Sequence, residues 1–266
     1  MNAEYVILGL REVALAASLV LLNGALSLVL RLDLEKRLAW AAARMTVQLM
    51  LIGYVLKWVF GIRHPAIVVV VLVPMTIIAG ISAVRRADRT FPGMFGSSIA
   101  AMWTSSWVIS AFALVVILRS DPWYSPQHAI PLTGLILGNS LTGVALSLDR
   151  FTAELATRRA EIEMRLCLGA MRSEAARDSI RQALRAGLLP MLNTMLVAGV
   201  VSLPGMMTGQ LLAGASPSQA ARYQIVVLFL LAASTALGSI IVVLLAYRRL
   251  FNDRHQFRYD LLSKRR

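Results

Sequence analysis

Seven stretches of this chain are long and apolar enough to cross a lipid bilayer, and little remains outside them. They run roughly over 13–30, 38–60, 65–84, 93–118, 130–148, 188–213 and 223–247. A helix needs about 20 mostly apolar residues to cross a hydrocarbon core some 30 Å thick. The composition agrees: of 266 residues, 58% are hydrophobic and 15% charged, with a mean hydropathy of +0.67. Soluble domains run about half apolar and a quarter charged. The first run is expected to be a retained transmembrane helix rather than a secretory signal, because Glu4 leads it, Arg11 and Glu12 interrupt it, and it continues to Leu30. A signal has a basic start and a short apolar stretch. The fold expected is all-α: a polytopic membrane protein of about seven transmembrane helices.

The net charge of +13 invites a nucleic-acid reading. Its distribution argues otherwise. Alternate loops carry three (Arg31, Lys36, Arg37), three (Arg85, Arg86, Arg89) and eight basic residues, and the tail carries seven, together 21 of the 27 Lys and Arg. Cytoplasmic loops carry such an excess. The N-terminus is therefore expected outside and the C-terminus inside, with anionic lipid as the partner of the charge and no nucleic acid. The basic tail, 251–266, is expected to fray. One cysteine excludes an internal disulfide framework, and three histidines far apart fit no compact metal-ligand spacing.

The longest connection, 149–187, is too polar for the membrane and too short for an enzymatic domain. Glu154 precedes Arg158 by four, and Glu161 precedes Arg165 by four, the favoured order on a helix. Phe151, Leu155, Ile162 and Leu166 share one face. The pattern breaks at Leu168-Gly169-Ala170, where Gly169 can end a helix. Ser173 is the expected N-cap of the next helix, with Glu174 in its first turn. A helical hairpin between the fifth and sixth membrane helices results. It is either an amphipathic element on the headgroups or a docking element. With no phosphate-binding loop of the G-x-x-x-x-G-K-[ST] type, a transporter built on this chain needs its motor on another.

All fourteen acidic residues lie in loops or at helix ends. Proton-coupled carriers place ionisable relays at membrane depth, so a proton antiporter is disfavoured. An intramembrane enzyme lacks the side-chain sets it needs. Polar groups within the apolar runs are Arg44 and Gln48 in the second, Asn139 in the fifth, and Asn193, Ser202 and Gln210 in the sixth, and all but Gln210 are candidates for a substrate path. Arg44 either faces a cavity or snorkels to the headgroups. The asparagines are either ligands or interhelical hydrogen bonds. The run from Ser202 to Gly209 contains Pro204, Gly205, Met206 and Met207. It reads as a broken helix beside a cavity or as a filled proline kink. The methionines are soft-metal ligands or core filler. Gly205-x-x-x-Gly209 and Gly134-x-x-x-Gly138 offer close-packing faces.

Specific residues carry a resemblance. They are Leu34-Glu35-Lys36, Gln48-Leu49 with Gly53-Tyr54-Val55-Leu56-Lys57, and Gly134 through Gly138-Asn139. Further along come Leu168-Gly169-Ala170, the Ser202 to Gly209 segment, Arg222-Tyr223-Gln224-Ile225 and Tyr247-Arg248. From about Leu34 to Gln256 the chain resembles the FetB-type iron-export permeases of ATP-binding-cassette transporters, to which plant aluminium-tolerance half-transporters are related. The resemblance implies that 1–266 is a single permease domain, acting as a homodimer in the bacterial inner membrane. It implies a separate cytoplasmic ATPase that holds ATP and Mg, while this chain binds no cofactor and is not itself an enzyme. It also implies that 149–187 is the coupling hairpin, with Glu161, Glu163, Arg165, Leu168, Gly169 and Ala170 in the coupling region. Pro190 lies farther from the glycine than in the importer form of that motif, which speaks against an importer. The substrate implied is iron for bacterial members and a nucleotide sugar for some plant relatives. No hard-metal site at membrane depth is visible in the sequence, and the metal ligands are unknown. A non-transporting scaffold that recruits a cytoplasmic partner is the alternative from another class.

Overall fold

The computed structural model describes residues 9–61, 64–119, 121, 122 and 124–265. It forms two compact units: residues 1–63 with 212–214, and 64–211 with 215–266. The chain is a multi-pass membrane protein, with six helices long and apolar enough to span among the described residues.

The first unit is a helical hairpin of α1 (Leu10–Val29) and α2 (Glu35–Val59). Ser27 holds its turn: the hydroxyl accepts the Leu34 N–H at 3.1 Å and donates to Glu35 Oε2 at 3.3 Å. Both helices expose large apolar side chains along their length, among them Leu21, Val29, Trp40 and Tyr54. Such surface belongs in lipid or against another apolar partner.

In the second unit, α5 (Pro126–Thr157) is central and packs against α3 (Pro65–Arg85), α4 (Met94–Phe112), α7 (Arg172–Val197) and α9 (Pro217–Leu250). Proline opens α3, α5 and α9 at the first helical position, where its missing N–H costs nothing. A π-helical turn, Ala113–Ile117, continues α4. The core is built of small residues and hydroxyls as much as large apolar groups. Ser140 and Ser234 share a hydrogen bond of 2.7 Å, and Ser98 donates to the Gly80 carbonyl at 2.9 Å. In lipid, helices associate through such close packing and polar contacts.

The tightest approach joins α5, α7 and α9. A Cβ on Gly187 would land on Ser147 Oγ and lie 2.7 Å from the Gly143 carbonyl oxygen; one on Gly143 would meet Thr235 Cγ2. Of the glycines in the two G-x-x-x-G patterns, a Cβ on Gly134 would lie 3.2 Å from Met75 Cε, while one on Gly138, Gly205 or Gly209 would meet nothing within 4 Å.

Three expectations are corrected. The run 188–213 is not one helix. α7 ends at Val197, residues 198–204 form a turn with Gly199 at φ +83°, and α8 is Gly205–Leu212. Pro204 therefore precedes a helix rather than kinking one, and the left-handed Gly199 makes the break. Second, the fifth membrane helix does not end with its apolar run: α5 continues to Thr157, while α7 runs from Arg172 into the sixth apolar run as expected. Third, the tail is folded rather than frayed. Phe251 and Leu262 are buried, and β2 (Ser263–Lys264) pairs antiparallel with β1 (Arg89–Thr90). The Arg265 guanidinium also donates to the Val84 carbonyl at 2.9 Å. The basic segments 85–90, 149–178 and 251–265 thus meet at one end of this unit, as a common membrane side requires.

Gly187→Ala is expected to destabilise the chain by about 1–3 kcal/mol or to abolish folding, because α5 and α7 must separate. Gly205→Ala, which meets open space, is expected to be near neutral. Thermal unfolding in detergent checks both; equal effects would refute the crossing.

Candidate functional site

The expected hairpin forms at the basic end. Its first arm is the end of α5, and the chain bends at Arg158 into α6 (Arg159–Cys167). Phe151, Leu155 and Ile162 are buried on the shared face. Gly169 ends α6 at φ +90°, and the Ala170 N–H closes back on the Arg165 carbonyl at 3.0 Å. This is the left-handed helix stop that glycine adopts without steric cost. The next helix is capped two residues earlier than expected. Met171, not Ser173, is the N-cap, and Glu174 at the third position accepts the Met171 N–H at 2.9 Å. A carboxylate there complements the helix dipole.

An ion network staples the two arms. Arg158 donates two 2.8 Å bonds to Glu161 and one of 3.3 Å to Asp178. Arg165 reaches the same two carboxylates at 2.8 and 3.2 Å. The Glu161–Arg165 pair is as expected. Glu154 instead pairs with Arg150, because the bend at Arg158 breaks the helical spacing beyond Thr157. Glu163 holds Arg159 at 2.7 Å, and that guanidinium lies 4.1 Å from the Tyr259 ring centroid. The hydrogen bond from Arg158, with the charge of Arg165, holds the Glu161 and Asp178 carboxyls below their usual range. Their bonds hold Arg158 above its own.

The tail locks the second arm. Arg172 pairs with Asp253 at 2.7 Å, and its N–H donates to His255 Nδ1 at 3.1 Å. Arg265 N–H donates to the Asp88 carbonyl at 2.8 Å, and the Asp88 N–H donates to Asp149 at 3.0 Å. Beyond this brace the tip is bare and apolar: Leu168 is 80%, Met171 58% and Met164 56% exposed. Three such side chains around a rigid turn suit insertion into a groove on another protein.

The tentative path residues are not gathered into one site. Arg44 and Gln48 are exposed on α2, in the first unit. In the second unit, Asn139 donates to the Leu135 carbonyl at 3.0 Å, and Asn193 is exposed. Ser202 is exposed in the 198–204 turn, while Pro204, Met206 and Met207 are half-buried at the start of α8, beside exposed Gly205. No group of three or more His, Cys, Asp or Glu is placed to hold a metal among the described residues. Two features were missed in the sequence. One is a cavity of about 380 Å³ lined by Asp121, His128, Gln210 and Tyr223. The other is a groove of about 1010 Å³ on α7, where Arg177, Arg181 and Arg185 stand four residues apart above Leu188 and Leu192.

The uncharacterised protein family UPF0014 matches residues 10–251. The chain belongs to this family. It is 40% identical over 225 residues to the UPF0014 membrane protein slr1647 of Synechocystis, covering 85% of this chain and 87% of that one. It is 33% identical over 254 residues to an Escherichia coli K12 protein named "Probable iron export permease protein FetB", covering 96% of each. It is 29% identical over 255 residues to the Arabidopsis thaliana protein ALUMINUM SENSITIVE 3, covering 96% of this chain and 92% of that one. No solved structure matches the chain.

The staple of this UPF0014 chain has a defined pH dependence. Glu161 and Asp178 titrate lower in the fold than free, so their contribution is complete above the ordinary carboxylate range, near pH 4, and is lost as pH falls below it. A spin label on Cys167 is expected to keep one mobility between pH 8 and 6 and to loosen below about pH 4. Arg158→Ala is expected to loosen it at pH 7. Unchanged mobility in Arg158→Ala would show that the network does not hold the hairpin.

Proposed function

We propose that the chain is the membrane-spanning permease subunit of an ATP-binding-cassette exporter of iron. It works as a homodimer in the bacterial inner membrane, driven by a separate cytoplasmic ATPase. The observation that carries the mechanism is the stapled hairpin with its bare apolar tip. Family membership and the name of the Escherichia coli relative support the activity.

In this reading the ATPase receives Met164, Leu168 and Met171 and holds ATP and Mg. Closure of the ATPase pair pushes on α6. The ion network passes the push to α7, which runs unbroken for 26 residues, about 39 Å at 1.5 Å per residue. That lever pivots at the Gly143–Gly187 crossing and ends at the 198–204 break. Backbone that is irregular at membrane depth belongs beside a cavity or a protein partner. The α7 arginine groove favours a second reading, an organic anion such as a nucleotide sugar, since three unpaired cations in a row repel one another until an anion joins them.

Iron-55 uptake into inside-out vesicles with the chain and its ATPase checks the proposal. ATP-dependent uptake, absent with a hydrolysis-dead ATPase, is expected. Gly169→Pro, which cannot adopt φ +90°, is expected to keep the ATPase hydrolysing while uptake falls about tenfold or more. No uptake with an active bound ATPase would favour the organic anion. Normal transport by a folded Gly169→Pro chain would remove the coupling role.

A further inference from the structure

The face of α7 left open by α5 and α9 carries a stripe whose chemistry changes once along its length. Ala176, Ala183 and Gly187 are buried on the packed face. Arg177, Arg181 and Arg185 stand exposed on the other, and Leu188, Leu189 and Leu192 continue their groove of about 1010 Å³. Steps of four residues keep side chains on one helical face, roughly 6 Å apart along the axis. The change from arginine to leucine falls between 185 and 188, where the sixth apolar run begins. The groove therefore runs from the basic end, at headgroup level, into the hydrocarbon.

The arginines bring charge that the fold does not neutralise. Among the described residues none of the three makes an ion pair or a side-chain hydrogen bond. Asp178 also lines the groove, but Arg158 and Arg165 already hold its carboxylate at 3.3 and 3.2 Å. An occupant thus has two conditions to meet, an anion beside 177–185 and an apolar chain beside 188–192. Guanidinium groups donate paired N–H bonds to phosphate oxygens. A soluble phosphate or nucleotide satisfies the arginines and leaves the leucines without a partner. A phospholipid with an anionic headgroup satisfies both. The cytoplasmic leaflet is rich in such lipids, and basic pockets beside membrane helices on that side hold their headgroups.

We infer that the α7 groove is a binding site for an anionic phospholipid of the cytoplasmic leaflet, its headgroup held by Arg177, Arg181 and Arg185 and an acyl chain lying on Leu188, Leu189 and Leu192. The site does not rest on the export reading; it requires only that the chain spans a membrane with its basic end at the anionic leaflet.

Spin-labelled phosphatidylglycerol and phosphatidylcholine, each added to the full chain in phosphatidylcholine vesicles, test it. Labelled phosphatidylglycerol is expected to be immobilised with about fivefold or more stronger association than labelled phosphatidylcholine, saturating near one lipid per chain. Combined Arg177→Gln, Arg181→Gln and Arg185→Gln is expected to remove the preference. Arg185→Gln alone, expected to weaken it about twofold or more, keeps the test valid if the triple variant fails to fold. Combined Arg31→Gln, Lys36→Gln and Arg37→Gln removes the same charge from another basic loop and is expected to leave the preference intact. Equal immobilisation of the two lipids, a preference that survives in the folded α7 variants, or equal loss in both triple variants overturns the site. Displacement of the labelled lipid by millimolar inorganic phosphate or UDP-glucose assigns the groove to a soluble anion and overturns it as well.

Discussion

Everything in the second unit depends on two helices touching backbone to backbone. α5 and α7 meet where Gly143 and Gly187 face each other, with Ser147, Thr235 and Ser239 filling the remaining space. No larger residue fits there, and in lipid such proximity replaces the hydrophobic effect as the source of helix association. The same two helices leave the crossing to form the hairpin at the basic end. Toward the other end, α7 stops at the Gly199 turn. The crossing therefore sits between the exposed apolar tip of the hairpin and the 198–204 turn.

At the basic end the fold spends its charge on rigidity. Arg158 and Arg165 share Glu161 and Asp178, while Arg172 and Arg159 tie the turn to the tail. Exposed ion pairs are individually weak, each worth about 0–1 kcal/mol, but a network that shares partners has fewer ways to open. Nearby in the chain, Tyr247 tilts against Phe251, and Phe251 stacks on Phe257. A push on α6 then moves α7 and the tail together instead of bending a loose loop.

What the sequence discloses follows from the range of each constraint. Bilayer thickness acts locally, so most apolar runs appear as helices, and α3 begins at Pro65 and ends one residue beyond expectation; α5 and α9 extend past their runs, and 188–213 is divided between α7 and α8. The stop at Gly169 is equally local. The crossing is not: Gly143 and Gly187 lie 44 positions apart, and neither sits in a motif. The nearer GxxxG patterns drew attention to glycines of which only Gly134 approaches a neighbouring side chain. In the tail, the density of arginine hid an apolar pattern, Phe251, Phe257, Leu261 and Leu262, that packs against the core. The candidate path residues were chosen for polarity in apolar runs. Polarity alone does not say which helix faces meet: Arg44 and Gln48 lie exposed in the first unit, and Asn139 bonds to its own helix.

Cys167 is the chain's one cysteine, exposed at the end of α6 beside the hairpin tip. Its rate of reaction with a maleimide in inside-out vesicles reports directly on that surface. If a cassette ATPase docks on the hairpin and drives it, the thiol reacts more slowly when the ATPase is bound, and its rate changes again during ATP hydrolysis. Equal rates with the ATPase absent, bound and hydrolysing would contradict coupling through this hairpin.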